Sequence, residues 1–348
     1  MKKLLLKVIN LFPPGLIKVI KKLPLINDGS YYYFKLKNRV PMPKSAIIDV
    51  MNICNLNCPI CPTGTNTLKQ KQKPMSLKDF KNILDQIPTL QQVSLYNWGE
   101  PFLNPEIFKI IKYAKSRGIF TIIHSNLSLE KNDEFFEKLI DSGIDRLSVS
   151  LDGVSRESYS KYRKNGNFDL VLNNLKKLAR LKTEKGAKNP NLVWQLVVNK
   201  YNEGELKEAK KIAKKIKVQL NFTEFGAGDS VPDLKFKGSL KERMQKWLPK
   251  NNDYKYNHYQ GKYSFPLYNT HCWMLFNQPT ITPDAKVYPC CFLTNQKNAF
   301  GDLKKQEFKT IWNNQKYTSA RQLFIKSKPK TKQVPTICQK CNNYKKYR

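Results

Sequence analysis

Six short β-rich runs, each followed by an amphipathic helical pattern, constrain this chain more than any other feature. The runs are Ala46–Met51, Gln92–Tyr96, Phe120–His124, Arg146–Leu151, Val193–Asn199 and Gln219–Thr223. Strands that alternate with helices pair in parallel, because each helix carries the chain back across the sheet. The expected class is α/β, either a partial barrel or an open doubly wound sheet. In both, functional groups collect at the carboxyl ends of the strands. Helix boundaries are legible too. Ser76 is an expected N-cap with Asp79 three residues later, and Asn104 precedes Pro105 at an expected first helical position. Gly118 and Gly143 fall where helices should end.

After about residue 235 the alternation stops. The segment 236–265 is polar, aromatic and irregular, with a helix expected near Leu240–Trp247. A hairpin is expected at Pro279–Thr282 and Lys286–Pro289, followed by helices over Glu307–Trp312 and Gln315–Phe324. Lys326–Lys332 reads as a linker. The first forty-odd residues differ again: Leu4–Phe12 and Leu16–Leu23 carry apolar residues on one helical arc and lysines on the other. Helices this short need a surface to lie on. That surface is either the body of the protein or an anionic membrane face, met through residues 1–23. The organisation read from this is 1–42, a basic amphipathic segment; 43–235, the alternating domain; and 236–348, a small α+β domain.

Composition narrows the function classes. No run reaches the eighteen or so uncharged apolar residues of a membrane span. Met1–Leu6 resembles the start of a secretion signal, but Lys7 breaks the apolar run and Pro13-Pro14 follows without a cleavage site. Eight cysteines in such a chain point to a reducing cytoplasm, where clustered thiols serve metal or catalysis. The net charge of +35 raises a nucleic-acid target. Against it, lysine dominates arginine and is spread over the whole chain, as coding bias would give. A basic surface also suits an acidic electron-donor protein.

Cys54, Cys58 and Cys61 follow the first strand directly, in Ile53-Cys-Asn-Leu-Asn-Cys-Pro-Ile-Cys-Pro62. Three thiols at these spacings can hold three irons of a [4Fe–4S] cubane and leave the fourth iron open. Half of a zinc site, or three unpaired structural thiols, are the alternatives.

This run resembles the signature of the radical S-adenosylmethionine (SAM) enzymes, and further matches follow in order from residue 43 to about 223. Tyr96-Asn-Trp-Gly-Glu-Pro101 stands where that family has a Gly-Gly-Glu segment, with Trp98 in place of the first glycine. Such a replacement requires that the backbone there does not need glycine. Ser125-Asn126 and Val149-Ser-Leu-Asp-Gly153 end the next two strands, and Tyr162-Arg163 follows. The resemblance implies a partial (β/α)6 TIM-like barrel. It implies a [4Fe–4S] cluster on Cys54, Cys58 and Cys61, with SAM contacts from Ile60, Gly99, Glu100, Asn126, Ser150 and Arg163. The chemistry implied is reductive cleavage of SAM to a 5′-deoxyadenosyl radical that takes hydrogen from a substrate. Such a site must exclude water, and it needs a flavodoxin- or ferredoxin-like electron donor.

Cys272, Cys290, Cys291, Cys338 and Cys341 form a second set. It resembles the C-terminal SPASM or twitch extension of some radical SAM enzymes. Too few cysteines are present for two fully ligated clusters, so one auxiliary [4Fe–4S] cluster on Cys272, Cys290, Cys338 and Cys341 is expected. Cys291 points away from Cys290 if that segment is extended. A zinc ribbon on Cys338-x2-Cys341 competes. His124, at a strand end, is read as a core imidazole or a group facing the site and His271 as a donor to a cluster sulfur, whereas His258 carries no signal.

The reading is a radical SAM oxidoreductase acting on a small molecule or glycan, with electron transfer through the auxiliary cluster. The alternatives are a peptide- or protein-modifying maturase, an RNA-modifying radical SAM enzyme and a non-catalytic zinc-binding protein. RNA affinity falling steeply with salt would mark the third, and colourless zinc-bearing protein the fourth.

Overall fold

The computed structural model describes residues 29–226, 233, 237–255, 271–325, 328–329, 331–341 and 344. The amphipathic segments at 4–23, His258 and parts of 236–265 and 326–332 lie outside the described residues.

Six parallel strands appear where the alternation places them: β1 (Ser45–Ile48), β2 (Gln92–Ser94), β3 (Phe120–Ser125), β4 (Arg146–Ser150), β5 (Asn191–Val198) and β6 (Gln219–Glu224). They pair in sequence order, β1 with β2 through β5 with β6. This is the sheet of a partial barrel. Helix α1 (Gly29–Lys37) precedes it, and α2 (Leu77–Gln86), α3 (Ile107–Ser116), α4 (Asp133–Asp141), α5 (Arg156–Tyr162), α6 (Phe168–Glu184) and α7 (Leu206–Lys215) connect its strands. Each crossover helix buries one stripe. On α3 it is Ile107, Ile110, Ile111 and Ala114, at i, i+3, i+4 and i+7. Each fully buried aliphatic side chain contributes roughly 1.5–3 kcal/mol.

Helix ends follow the local chemistry. Ser76 accepts the Asp79 N–H at 3.1 Å, as expected. Gly118 and Gly143 take φ of +69° and +76° just past α3 and α4. The α3 start differs from expectation. Asn104 Oδ1 accepts the Glu106 N–H at 2.8 Å, which holds Pro105 in a turn, so the helix begins at Ile107.

The C-terminal region continues the barrel sheet. After α8 (Leu240–Trp247) and α9 (Trp273–Asn277), β7 (Thr280–Ile281) pairs in parallel with β1, Ile47 opposite Thr280. β8 (Lys286–Tyr288) and β9 (Gly301–Asp302) then extend the sheet antiparallel. Helices α10 (Phe308–Trp312) and α11 (Gln315–Gln322) cover them. Phe276, Ile281, Val287, Ile311 and Trp312 share one apolar core with Ile48, Val93 and Leu147 of the barrel. The segment leading into β1 also rests here. Phe34 is buried 5.8 Å from the Phe276 ring centroid, and the Trp312 indole donates to the Pro41 carbonyl at 2.9 Å. No helix among the described residues is long and apolar enough to cross a membrane.

Candidate active site

The cysteine run leaves β1 at its carboxyl end and is fastened there by two neighbouring strand ends and by the turn after α5. Asn55 donates to the Ser128 carbonyl at 2.7 Å, beyond β3. The Asn57 N–H reaches the Lys164 carbonyl at 2.9 Å, beyond α5. Glu100, after β2, donates its N–H to the Ile53 carbonyl at 2.9 Å. Two glycines permit this crowding. A Cβ on Gly99 would stand 2.0 Å from the Met51 carbonyl oxygen, and one on Gly64 would stand 2.5 Å from the Cys58 nitrogen. Trp98, by contrast, has no positive φ, so its backbone tolerates a side chain.

Donors then converge on the sulfurs. Cys54 Sγ accepts the Leu56 N–H at 3.4 Å and the Asn126 amide at 3.6 Å. Arg163 hydrogen-bonds Cys58. Burial pushes the Cys54 thiol up to about 12, with Glu100, Cys61 and Cys58 adding to the rise. Burial likewise raises Cys58 to about 11, against the lowering pull of Arg163. Clustered thiols that penalise one another's charge, Cys58 buried and Cys54 and Cys61 partly so, suit a ligand that is itself cationic and displaces their protons. An iron–sulfur cubane is such a group.

Glu100 is fully buried and accepts three hydrogen bonds: from Ser125 Oγ at 2.8 Å, the Asn126 N–H at 2.7 Å and the Phe102 N–H at 3.1 Å. Burial nevertheless raises it to about 7. Its carboxyl therefore ties the end of β2 to the end of β3 and aims Asn126. The Ser125–Val149 pairing sets Asn126 beside Ser150, the last residue of β4. Arg163, at the end of α5, donates from Nε to Asp152 at 2.6 Å, and the aspartate is wholly buried. Arg163 is therefore turned inward. Burial opposes its charge, yet Asp152 and Cys58 hold it well above the usual guanidinium range.

Ile60 packs with Phe225, Trp247 and Leu248 in a small separate apolar cluster. Tyr162 closes it, with ring centroids 5.1 Å from Phe225 and 5.2 Å from Trp247. This aromatic wall borders the cysteines, because Cys58 and Cys61 both raise the Tyr162 hydroxyl after burial itself. Gly64, Asp152, Phe225 and Trp247 were missed in the sequence. Only Asp152 carried a signal, as part of the Asp-Gly step after β4.

In the C-terminal region Cys272, Cys290, Cys338 and Cys341 come together from three segments. Burial pushes Cys338 far up, and Cys272, Cys290 and Cys341 push it further. Cys272 is raised to about 12 by burial, Cys290 and Cys341. Cys291 departs from expectation. The chain turns after β8 instead of staying extended, and the Cys290 and Cys291 side chains hydrogen-bond each other. Cys291 Sγ also lies 3.9 Å from Met274 Sδ. The two sites are joined directly. The Asn97 amide donates to the Cys291 carbonyl at 3.3 Å and the Trp98 indole to the Leu293 carbonyl at 3.3 Å. Among the described residues no three His, Cys, Asp or Glu side chains converge on the point a single metal ion needs.

Fold and cysteine sets define an iron–sulfur enzyme class built on a partial barrel. The Radical SAM superfamily profile matches residues 48–213, and the iron–sulfur cluster-binding SPASM profile matches 272–342. The chain belongs to the radical SAM superfamily and carries a SPASM domain. Its cofactors are accordingly a [4Fe–4S] cluster and SAM, with auxiliary iron–sulfur binding in the C-terminal domain. The chain is 31% identical over 111 residues to an AdoMet-dependent heme synthase of Methanosarcina barkeri, covering 32% of this chain and 31% of that protein. It is 27% identical over 122 residues to the PqqA peptide cyclase of Rhizobium meliloti, covering 34% and 32% respectively. The chain thus spans about a third of the length of these relatives. Among solved structures, SAM-bound SuiB of Streptococcus suis superposes with a TM-score of 0.62 at 15% identity, covering 88% of this chain and 80% of that one.

Proposed function

We propose that this protein is a radical SAM oxidoreductase in which Cys54, Cys58 and Cys61 hold the SAM-binding cluster and Cys272, Cys290, Cys338 and Cys341 an auxiliary one. With these groups bound, SAM supplies a 5′-deoxyadenosyl radical for hydrogen abstraction and the auxiliary cluster an acceptor for the substrate's electron. The observation that carries the reading is the convergence of strand ends on the cysteine run. Asn126 and the Leu56 N–H orient Cys54, and Arg163 orients Cys58. Asp152 keeps the guanidinium in place, leaving its other nitrogens to meet a carboxylate such as that of SAM. Gly99, Glu100 and Ser150 shape the rim, and Ile60 with the Tyr162–Phe225–Trp247 wall keeps water from the radical. The Asn97–Cys291 and Trp98–Leu293 hydrogen bonds support electron transfer to the C-terminal domain. An acidic flavodoxin- or ferredoxin-like donor suits the +35 charge.

The substrate is read as a small molecule or glycan. A peptide is the second reading, favoured by the names of two similar proteins, a peptide cyclase and SuiB bound to its precursor peptide. The test is anaerobic. Reconstituted protein given SAM and dithionite should form 5′-deoxyadenosine, and Cys54→Ala, Cys58→Ala and Cys61→Ala should each lower it below detection. Formation that persists in any of the three sinks the assignment.

A further inference from the structure

The inward face of the barrel holds polar groups that folding alone does not use. Along the first four strands Ile48, Val93, Ile123 and Leu147 belong to the outer apolar core, so their neighbours in sequence face the interior. The register sets His124 opposite Ser148, and Ile122 opposite both Ser94 and Arg146. Tyr96 follows Ser94 by two and so reaches His124; their rings stack with centroids 4.1 Å apart. Arg146 extends to this level, since its charge lowers both His124 and Tyr96.

Three polar atoms of the interior lack a hydrogen-bond partner. Ser148 is fully buried with no hydrogen bond to its hydroxyl, and the Arg146 Nε, shielded from water, has none. Just past β1, Asp49 Oδ1 is also buried and unpartnered, while its Oδ2 accepts the Trp98 N–H at 3.3 Å. A buried donor without a hydrogen bond is unfavourable, so such atoms call for a partner. Among the described residues no carboxylate forms an ion pair with Arg146. His124, lowered to about 4 by burial and Arg146, is neutral. Tyr96, raised to about 12 chiefly by burial, keeps its proton. Asp49, raised to about 7 by burial, holds its proton in about half the molecules at neutral pH. The interior is therefore lined mostly by donors, around a guanidinium that no carboxylate pairs among the described residues.

We propose that Arg146 and Ser148 bind an anionic group of the substrate, a carboxylate or a phosphate ester, inside the barrel beneath the cysteine rim. That the ligand is the substrate rests on the radical SAM reading; the anion site itself does not. Arg146 offers a guanidinium N–H and Ser148 a hydroxyl from adjacent inward positions of β4, a geometry that suits an oxyanion. A neutral glycan lacking acidic groups would leave the guanidinium unpaired, so the inference narrows the substrate to acidic molecules.

The test uses the full chain, anaerobically reconstituted. Acetate, inorganic phosphate, chloride at matched ionic strength and glycerol are titrated while unfolding temperature and heat of binding are followed. Saturable binding of acetate or phosphate is expected, without matching effects of chloride or glycerol. Acetate alone identifies a carboxylate, and phosphate alone a phosphate ester. Arg146→Met should weaken that binding at least tenfold and Ser148→Ala several-fold. If Arg146→Met does not fold, Arg146→Lys should bind more weakly than wild type but measurably. Equal anion binding by wild type and the Arg146 variants, or none by wild type, overturns the inference. Absence of 5′-deoxyadenosine from wild type with SAM and dithionite would instead overturn the functional reading and leave the anion site standing.

Discussion

The two cysteine sets solve one problem in opposite ways. Cys54, Cys58 and Cys61 lie within eight residues of a single loop, and the surrounding strands contribute donors and space instead of sulfur. Cys272, Cys290, Cys338 and Cys341 come from segments up to 69 residues apart and meet only because the hairpin, α9 and the Ile337–Lys340 turn pack together. In the first set the loop brings the ligands and the fold tunes them. In the second the fold itself is the ligand set. The first cradle should therefore survive damage elsewhere, whereas the second should fail with its packing.

Iron content tests that contrast with the largest expected effect. Wild type should carry about eight irons, for two cubanes. Cys338→Ala should lose about half of them, keep dithionite-driven 5′-deoxyadenosine formation and lose turnover of the true substrate. Cys61→Ala should lose the other half and all SAM cleavage. Full substrate turnover by the Cys338 variant would show that the auxiliary set takes no part in electron transfer.

Next in size is the backbone crowding that, among the described glycines near the two cysteine sets, belongs to the barrel site. Gly99→Ala must push a methyl against the Met51 carbonyl, and Gly64→Ala against the Cys58 backbone, both rigid. Losses of about 4 kcal/mol or more are expected, in the range of the most severe single substitutions. Gly204 has nothing within 4 Å of an added Cβ, so Gly204→Ala should change stability by less than about 1 kcal/mol. Denaturant melts of the three variants distinguish local crowding from a general intolerance of alanine.

The same contrast explains what could be read in advance. The strands announced themselves through local pattern, the first five because a buried parallel strand is a short apolar run whatever its neighbours, and the more exposed sixth by its place in the alternation. The cysteine triad was legible because its ligands are contiguous. Grouping Cys272 with Cys338 needed a family resemblance, because nothing local joins residues so far apart. Gly64 and Gly99 differ from a turn glycine only in what another segment brings near them. Phe225 and Trp247 look like any core aromatics until the end of α8 sets Trp247 against Phe225 beside Ile60. Arg146, Ser148 and His124 read as ordinary strand residues, because pairing register, and not sequence, turns them to one interior. The start of α3 was misplaced because Asn104 caps a turn around Pro105 instead of the helix.

The smallest of these effects is a pH dependence confined to the barrel. Asp49 rises from 3.8 to about 7 through burial, against lowering hydrogen bonds from Trp98 and Met51. Between about pH 4 and pH 7 the unfolded chain has released this proton while the folded chain keeps it. Folded protein then binds more protons than unfolded, so Asp49 makes stability fall as pH rises through that window. Its share is on the order of 2–4 kcal/mol, fully expressed above pH 7. Glu100, raised from 4.5 to about 7 chiefly by burial, acts with the same sign. Asn at position 49 cannot ionise, so the Asp49→Asn profile should gain on wild type as pH climbs from 4 to 7. Taking the difference of two urea-melt series removes the repulsion that a charge of +35 adds to both proteins. A difference that stays flat across the window would mean the Asp49 carboxyl is ionised in the folded barrel, and its unpartnered oxygen would then need a cation.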